Sequence, residues 1–217
     1  MTNEKESINW RIPQWFKGLN AEQQKHLKSY NTELIRFNKQ INLISGTTEI
    51  NSDSIHFADC IMSINLMLKE NVGQRVFDLG SGNGLPGIVL AILDSRRTIV
   101  LVEKDTRKVE FLRYIGKSLN LDNLNVIQGQ IENLGGQNIE FAISRALASV
   151  TKSLLMTRKI FKKDGLYFQM KSSGWVTEVS DIPPQIYSHW SSEFVGTYTL
   201  PGTNIERVLL KCKKLTD

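Results

Sequence analysis

Cysteine is scarce in this chain: Cys60 and Cys212 are the only two among 217 residues. They stand far apart and lack metal-ligand spacing, and the three histidines, His26, His56 and His189, are scattered singly. That pattern argues against a metal site and predicts two buried or idle thiols. Long hydrophobic runs are missing as well. The apolar stretch at 88–93 is ended by Asp94, far short of a membrane span. The opening "MTNEKESINW" is polar and has no apolar stretch of signal-peptide type. No repeat and no low-complexity tract is present. These absences predict a soluble, cytoplasmic protein, and 41% hydrophobic content is enough for a sizeable core.

Acidic residues are the minority charge. Lys and Arg number 27 against 22 Asp and Glu, giving +5 and a pI near 9.2. The basic residues are clustered. Lys104, Arg107, Lys108, Arg113 and Lys117 share one segment. Arg158, Lys159, Lys162 and Lys163 form a second group, and Lys211, Lys213 and Lys214 a third. Such groups can draw a polyanion such as RNA or be plain solvated faces.

Periodicity divides the chain. Leu27, Tyr30, Leu34, Phe37 and Ile41 recur by three and four, which predicts a helix over 20–41 with Asn20 and Gln23 as a capping box. A second helix is expected over 53–69, capped by Ser52 or Asp53. From 75 the period changes. Buried strands are expected at 75–80 and 98–103 and further strands at 124–129, 139–144 and 165–171, with helices from Pro86, over 105–119 and over 149–161. Strand–helix alternation predicts an α/β fold with a mostly parallel sheet covered by helices on both faces. Two late strands, near 193–199 and 205–212, predict an antiparallel edge hairpin turning at "LPGTN".

The stretch "DLGSGNGLPG" at 78–87 connects the first strand to its helix, where ligands sit in such sheets. It contains two registers: Gly80, Gly82 and Gly84 spell G-x-G-x-G, and Gly82, Gly84 and Gly87 spell G-x-G-x-x-G. Glycine permits positive φ and removes the Cβ that would block a ligand. Glu103, ending the second strand, can accept hydrogen bonds from ribose hydroxyls, which suits a free 2′-hydroxyl. Asp78 precedes the glycines, where it would repel a pyrophosphate and suit a cationic ligand. Pro86 lacks an N–H that an anion could use. Electrostatics therefore favours S-adenosylmethionine over a dinucleotide.

With "RFNKQINLIS" (36–45), "HFADC" (56–60), "FLR" (111–113), "ISRALAS" (143–149), "QMKS" (169–172) and "IERVLLKCKK" (205–214), the loop resembles the bacterial ribosomal RNA small-subunit methyltransferase G family, also called glucose-inhibited division protein B. The resemblance spans nearly the whole chain. It implies a class I S-adenosylmethionine-dependent methyltransferase (Rossmann-like) domain over 73–217, with a helical extension over 1–72 packed on it. It implies a monomer that methylates N7 of one guanine of 16S ribosomal RNA near the decoding site, as naked RNA or in the small subunit or its precursor. The family's cofactor contacts fall on Gly80, Leu85, Ile131, Glu132 and Arg145. Gln130 stands where members often carry arginine, and Val208 where they often carry histidine.

Guanine N7 has a free lone pair, so no general base and no catalytic side chain of that kind is required. Arg145 is expected to orient the guanine or a flanking phosphate and to shape the cofactor pocket, and Lys171 and Arg207 to bind RNA phosphate. His56 is open to two roles, holding the N-terminal helices to the core or helping to line the cleft, and is expected above all to be a satisfied histidine. Trp10, Trp15, Trp175 and Trp190 are expected in the core more than as base-stacking platforms. The competing readings are a methyltransferase of small molecules or proteins, a nucleotide-binding dehydrogenase domain and a non-catalytic RNA-binding protein.

Overall fold

The computed structural model describes residues 7–216; residues 1–6, which open the polar N-terminal stretch, and residue 217 lie outside the described residues. A short turn, α1 (Ile12–Trp15), leads into α2 (Ala21–Asn38). The capping box forms in both directions: Asn20 Oδ1 accepts from the Gln23 N–H at 2.9 Å, and Gln23 Oε1 accepts from the Asn20 N–H at 3.0 Å. The helix stops three residues before Ile41. There the Asn38 carboxamide oxygen accepts from the N–H groups of Leu43 and Ile44 (2.6 and 2.8 Å) and folds the following turn back.

The second expected helix begins as a π-helical turn, Asp53–Ala58, and continues as α3 (Asp59–Met67). Neither proposed cap works as one. Ser52 Oγ donates to Asn31 Oδ1 at 2.8 Å, and Asp53 instead receives Arg11 through its Nε and NH2 groups (2.9 and 2.8 Å).

The sheet has seven strands: β1 (Arg75–Leu79), β2 (Thr98–Glu103), β3 (Leu124–Gln128), β4 (Ile139–Arg145), β5 (Phe161–Lys171), β6 (Trp190–Thr199) and β7 (Glu206–Lys214). Their order is β3-β2-β1-β4-β5-β7-β6. The first five run parallel; β7 lies antiparallel to β5, and β6 antiparallel to β7. The expected edge hairpin is therefore present. The connecting helices are α4 (Gly87–Leu93), α5 (Thr106–Ser118), α6 (Val150–Thr157), α7 (Trp175–Ser180) and α8 (Pro184–Tyr187). The helix expected to reach 161 ends at Thr157, because Phe161 already pairs with Ile139 and opens β5 early across a bulge.

Two apolar layers sandwich the sheet. On one face the N-terminal helices share a single core with it: Tyr30, Leu34, Phe57 and Ile61 pack with Val76, Ile88, Ile99 and Leu101. Each such burial is worth roughly 1.5–3 kcal/mol. On the other face Phe77, Val100, Tyr167 and Trp190 form the second layer.

The tryptophans are engaged by protein. Trp190 is buried against the edge of Phe161, with the Lys214 ammonium 5.4 Å from its ring. Trp10 meets Phe57 edge-on, Trp15 lies under Arg11, and Trp175 stacks on Phe194. The third basic group is likewise tied down: Lys211 pairs with Glu70 and Glu193 (2.7 Å each), and Lys213 with Asp164 (2.8 Å). It is not a free polyanion surface. Both cysteines are buried free thiols, raised by burial, Cys212 to about 11. No described helix is long and apolar enough to cross a membrane, and no described group of His, Cys, Asp and Glu could hold a metal.

Candidate functional site

The loop after β1 is held by an inventory of backbone N–H groups. Gly80 and Ser81 both donate to the Val102 carbonyl (3.0 Å each), and Gly82 donates to Glu103 Oε2 (2.8 Å). Gly84 donates to the Ser81 carbonyl, Leu85 to Asn83 Oδ1, Gly87 to Asp78 Oδ2 and Ile88 to the Gly84 carbonyl. Pro86 has none to give. Only the Asn83 N–H lacks an internal acceptor among the described residues. A pyrophosphate cradle needs several convergent free N–H groups at a helix N-terminus. This loop has committed them to its own acceptors and to β1 and β2.

The three loop glycines all adopt left-handed backbone: φ is +71° at Gly80, +55° at Gly82 and +88° at Gly84. Their surroundings differ. A Cβ on Gly82 would meet only the Gly80 carbonyl oxygen, at 3.8 Å, so that position opens outward. A Cβ on Gly84 would strike Ile88, Leu112 and the Tyr30 hydroxyl within 2.4–2.9 Å. Gly84 is a packing glycine beneath the loop.

Above the loop lies a cavity of about 550 Å³, within the roughly 300–1,000 Å³ usual for small-ligand sites. Of the expected cofactor residues, Gly80, Gly82, Leu85, Glu103, Ile131, Glu132 and Arg145 line it. Asp78 and Gly84 do not. Asp78 is fully buried, facing the helices through the pleat of β1. Its Oδ2 caps Gly87, and no donor reaches Oδ1. Burial pushes its carboxyl up to about 7, against the Gly87 N–H and Arg145, which favour the charged form. The expectation that Asp78 faces a cationic ligand is thus corrected: its position in the strand turns it away. Glu103 is closer to expectation. Its Oε1 accepts from the Lys104 and Asp105 N–H groups (2.8 and 2.9 Å) and its Oε2 from Gly82, which leaves Oε2 one further acceptor position.

A second cleft, of about 750 Å³, adjoins the first. Leu43, Asn83, Arg145, Ala146 and Ala148 line both. Lys171 and Arg207, the two expected phosphate ligands, fall here together with His56 and Asp59. They are not equivalent. Lys171 Nζ donates to the Ala148 carbonyl (2.8 Å) and to Glu178 Oε2 (2.7 Å), so it braces the cleft wall instead of offering a free charge. Arg207 makes one long bond, 3.4 Å to the adjacent Glu206 carbonyl, and no ion pair among the described residues. Arg145 NH1 donates to His56 Nδ1 (3.2 Å) and faces Asp59 Oδ2 (3.5 Å). His56 is satisfied on both nitrogens, since Nε2 meets Thr48 Oγ1 at 2.9 Å. Burial, then Arg145 and Arg207, lower its pKa to about 3.

A family model described as rRNA small subunit methyltransferase G matches residues 23–195. The chain belongs to this family. It is 40% identical over 209 residues to ribosomal RNA small subunit methyltransferase G 3 of Bdellovibrio bacteriovorus, covering 96% of this chain and 95% of that one. With ribosomal RNA small subunit methyltransferase G of Polynucleobacter asymbioticus it shares 30% over 189 residues, 85% and 84% of the two chains. The fold matches solved structures, one of them with a methyl donor bound. A point variant of MtNAS in complex with S-adenosylmethionine superposes with a TM-score of 0.58 at 15% identity, over 97% of this chain and 86% of that one. Precorrin-6y C5,15-methyltransferase from Geobacter metallireducens gives 0.52 at 12%, over 71% and 87%. The class I methyltransferase fold is thereby shown.

Several wall residues of this methyltransferase G site carry no motif of their own. Lys104, just past β2, Lys108 on α5, and Lys152 and Met156 on α6 line the first cavity. Leu43 reaches both clefts because Asn83 Nδ2 donates to its carbonyl (3.0 Å) while Tyr30 donates to the Asn83 carbonyl (2.6 Å). The asparagine of the "SGNG" stretch was the available signal: an amide within a glycine loop has hydrogen bonds to place.

Proposed function

We propose that this chain transfers the methyl group of S-adenosylmethionine to N7 of a single guanine in 16S ribosomal RNA near the decoding site, by direct in-line attack without a general base. The observation that carries the reading is the loop's N–H inventory beside a cavity that shares Arg145 with a second cleft. The loop has no cradle for a phosphate, which removes the dinucleotide alternative. A wall common to two clefts suits a donor on one side and an acceptor on the other. The relatives' names supply the substrate class.

S-adenosylmethionine supplies an electrophilic methyl group on a sulfonium. The residues present fit it. Gly82 leaves open space, Val102, Ile131, Leu147 and Met156 offer apolar surface for a purine, and Glu103 keeps an acceptor for a ribose hydroxyl. Leu85 and Ile131 exclude water from the apolar end. Arg145 keeps its Nε and NH2 donors for a guanine oxygen or a phosphate, and Arg207 offers a second cation to the RNA backbone. Holding donor and acceptor in line is the chief catalytic device, and in favourable cases it supplies roughly 7–11 kcal/mol. We place residues 1–72 as a helical extension on a methyltransferase domain, 73–217. The protein acts as a cytoplasmic monomer on naked RNA, the small subunit or its precursor.

The test is transfer from tritiated S-adenosylmethionine to small subunits from cells lacking the enzyme, with the labelled base mapped. Label at one guanine N7 is the expected result. Tight cofactor binding with no label in RNA would move the acceptor to a small molecule or protein.

A further inference from the structure

Arg145 is held on one side only. NH1 has two partners, His56 Nδ1 and Asp59 Oδ2, and no other described hydrogen bond engages the guanidinium. The side chain is 14% exposed, so the uncommitted donors open onto the clefts it lines. Each anchor is itself anchored. Tyr198 Oη, from β6, donates to Asp59 Oδ1 at 2.8 Å within the core. Thr48 engages His56 Nε2. An arginine N–H can only donate, so His56 Nδ1 must accept, and its one ring proton must sit on Nε2. The imidazole is therefore neutral and of fixed tautomer. The anchoring set joins three distant stretches of sequence: the N-terminal extension (Thr48, His56, Asp59), the end of β4 (Arg145) and the C-terminal hairpin (Tyr198).

We propose that Asp59 and Tyr198, with His56 as a second anchor, are positioning residues that fix the Arg145 guanidinium at the wall shared by the two clefts. This rests on the reading of Arg145 as an acceptor-binding group. An arginine with five donors and a long flexible stem loses its orientation when its buried counter-charge is free to turn. Tyr198 stops that turn by occupying the other Asp59 oxygen. The carboxylate also offsets the guanidinium charge beside an acceptor that becomes cationic on methylation.

The experiment is a double-mutant cycle on the full chain, read by methyl transfer to small subunits and by S-adenosylmethionine affinity. Tyr198→Phe is expected to lower kcat about tenfold, as for a lost hydrogen bond to a charged group, with cofactor affinity within about twofold of wild type. In an Arg145→Ala background the same change should alter turnover less than about twofold, because the residue it serves is gone. Equal losses in both backgrounds would make Tyr198 merely structural and overturn the proposal, as would no loss in the wild-type background. A second readout needs no variant at Tyr198. Nitrogen NMR of His56 should show a neutral ring protonated at Nε2 at pH 7, with an Nδ1 signal that moves in Arg145→Ala. A proton on Nδ1, or a charged ring, would remove the anchor. A wild type that labels no RNA would instead refute the functional reading above, and the His56 signals would still decide whether the anchor exists.

Discussion

Asp78→Asn separates a cofactor ligand from a buried structural carboxyl. Burial raises the Asp78 carboxyl from 3.8 to about 7 in the folded chain. Between those values the folded protein holds a proton that the unfolded chain has released. Stability from this group is therefore full below about pH 4 and is lost as pH rises to about 7, by about 1.4 kcal/mol per unit. Asparagine cannot titrate, and its carbonyl oxygen still accepts from the Gly87 N–H. Any constant penalty for its extra N–H groups cancels in a comparison between pH values. Urea unfolding of both proteins at pH 5 and pH 8 should show the stability difference moving by up to about 3 kcal/mol in favour of the variant. Affinity for S-adenosylmethionine should stay within a few-fold, since Asp78 is not on the cavity wall. A difference that does not change with pH would show the carboxylate ionised throughout and refute the assignment. A large loss of cofactor affinity would return Asp78 to the binding site.

The loop glycines should behave unlike one another. Gly82→Val places a β-branched side chain at φ +55° and into open cavity, so cofactor affinity measured by calorimetry should fall at least about a hundredfold, with roughly 1–2 kcal/mol of backbone strain. Gly84→Ala should lower the melting temperature instead, because its Cβ meets Tyr30, Leu112 and Ile88, and unchanged stability would refute that packing. Arg145→Ala should cut single-turnover methyl transfer about a hundredfold or more while the folded circular dichroism signal persists; near-normal turnover would remove it from the site. Arg207→Ala should weaken RNA affinity and reduce its salt slope by about one, whereas Lys171→Ala should mainly loosen α7 by freeing Glu178, seen as faster hydrogen exchange there.

Much of this was legible in the chain. The nearly continuous β-branched run "TIVLVE" placed β2 at Thr98–Glu103, and the 3.6-period stripe with its capping box placed α2. Short elements escaped because α1, α7 and α8 are four to six residues long, less than two helical turns, too few for a period to show. Within the site, residues at strand ends were readable by topology, as Glu103 and Arg145 show. Asp78 was misplaced for a reason the sequence does contain. Strand side chains alternate, and Phe77 and Leu79 belong to one layer, so Val76 and Asp78 must face the other, toward the helices. Lys171 was not readable: its partner Glu178 lies on a six-residue helix that periodicity does not announce.

Two roles are open to the N-terminal helices, lid or brace, and the hydrogen bonds favour the brace. A lid meets the site through side chains that can leave it without disturbing what lies beneath. Here Tyr30 holds the Asn83 carbonyl, and the Leu43 carbonyl receives the Asn83 amide, so the tip of the glycine loop is pinned from the extension. His56 and Asp59 hold Arg145 in the same way, from the far side of the clefts. Ser54 Oγ donates to the Pro201 carbonyl at 2.6 Å and ties the same segment to the β6–β7 turn. Lifting the extension would therefore release the loop tip, the arginine and the hairpin at once, and expose the apolar layer shared by Tyr30, Phe57 and Ile61. An element that takes the site apart when it moves is a poor gate. Its chemical contribution is to supply fixed groups, His56 and Asp59, against the Arg145 side chain that ends β4.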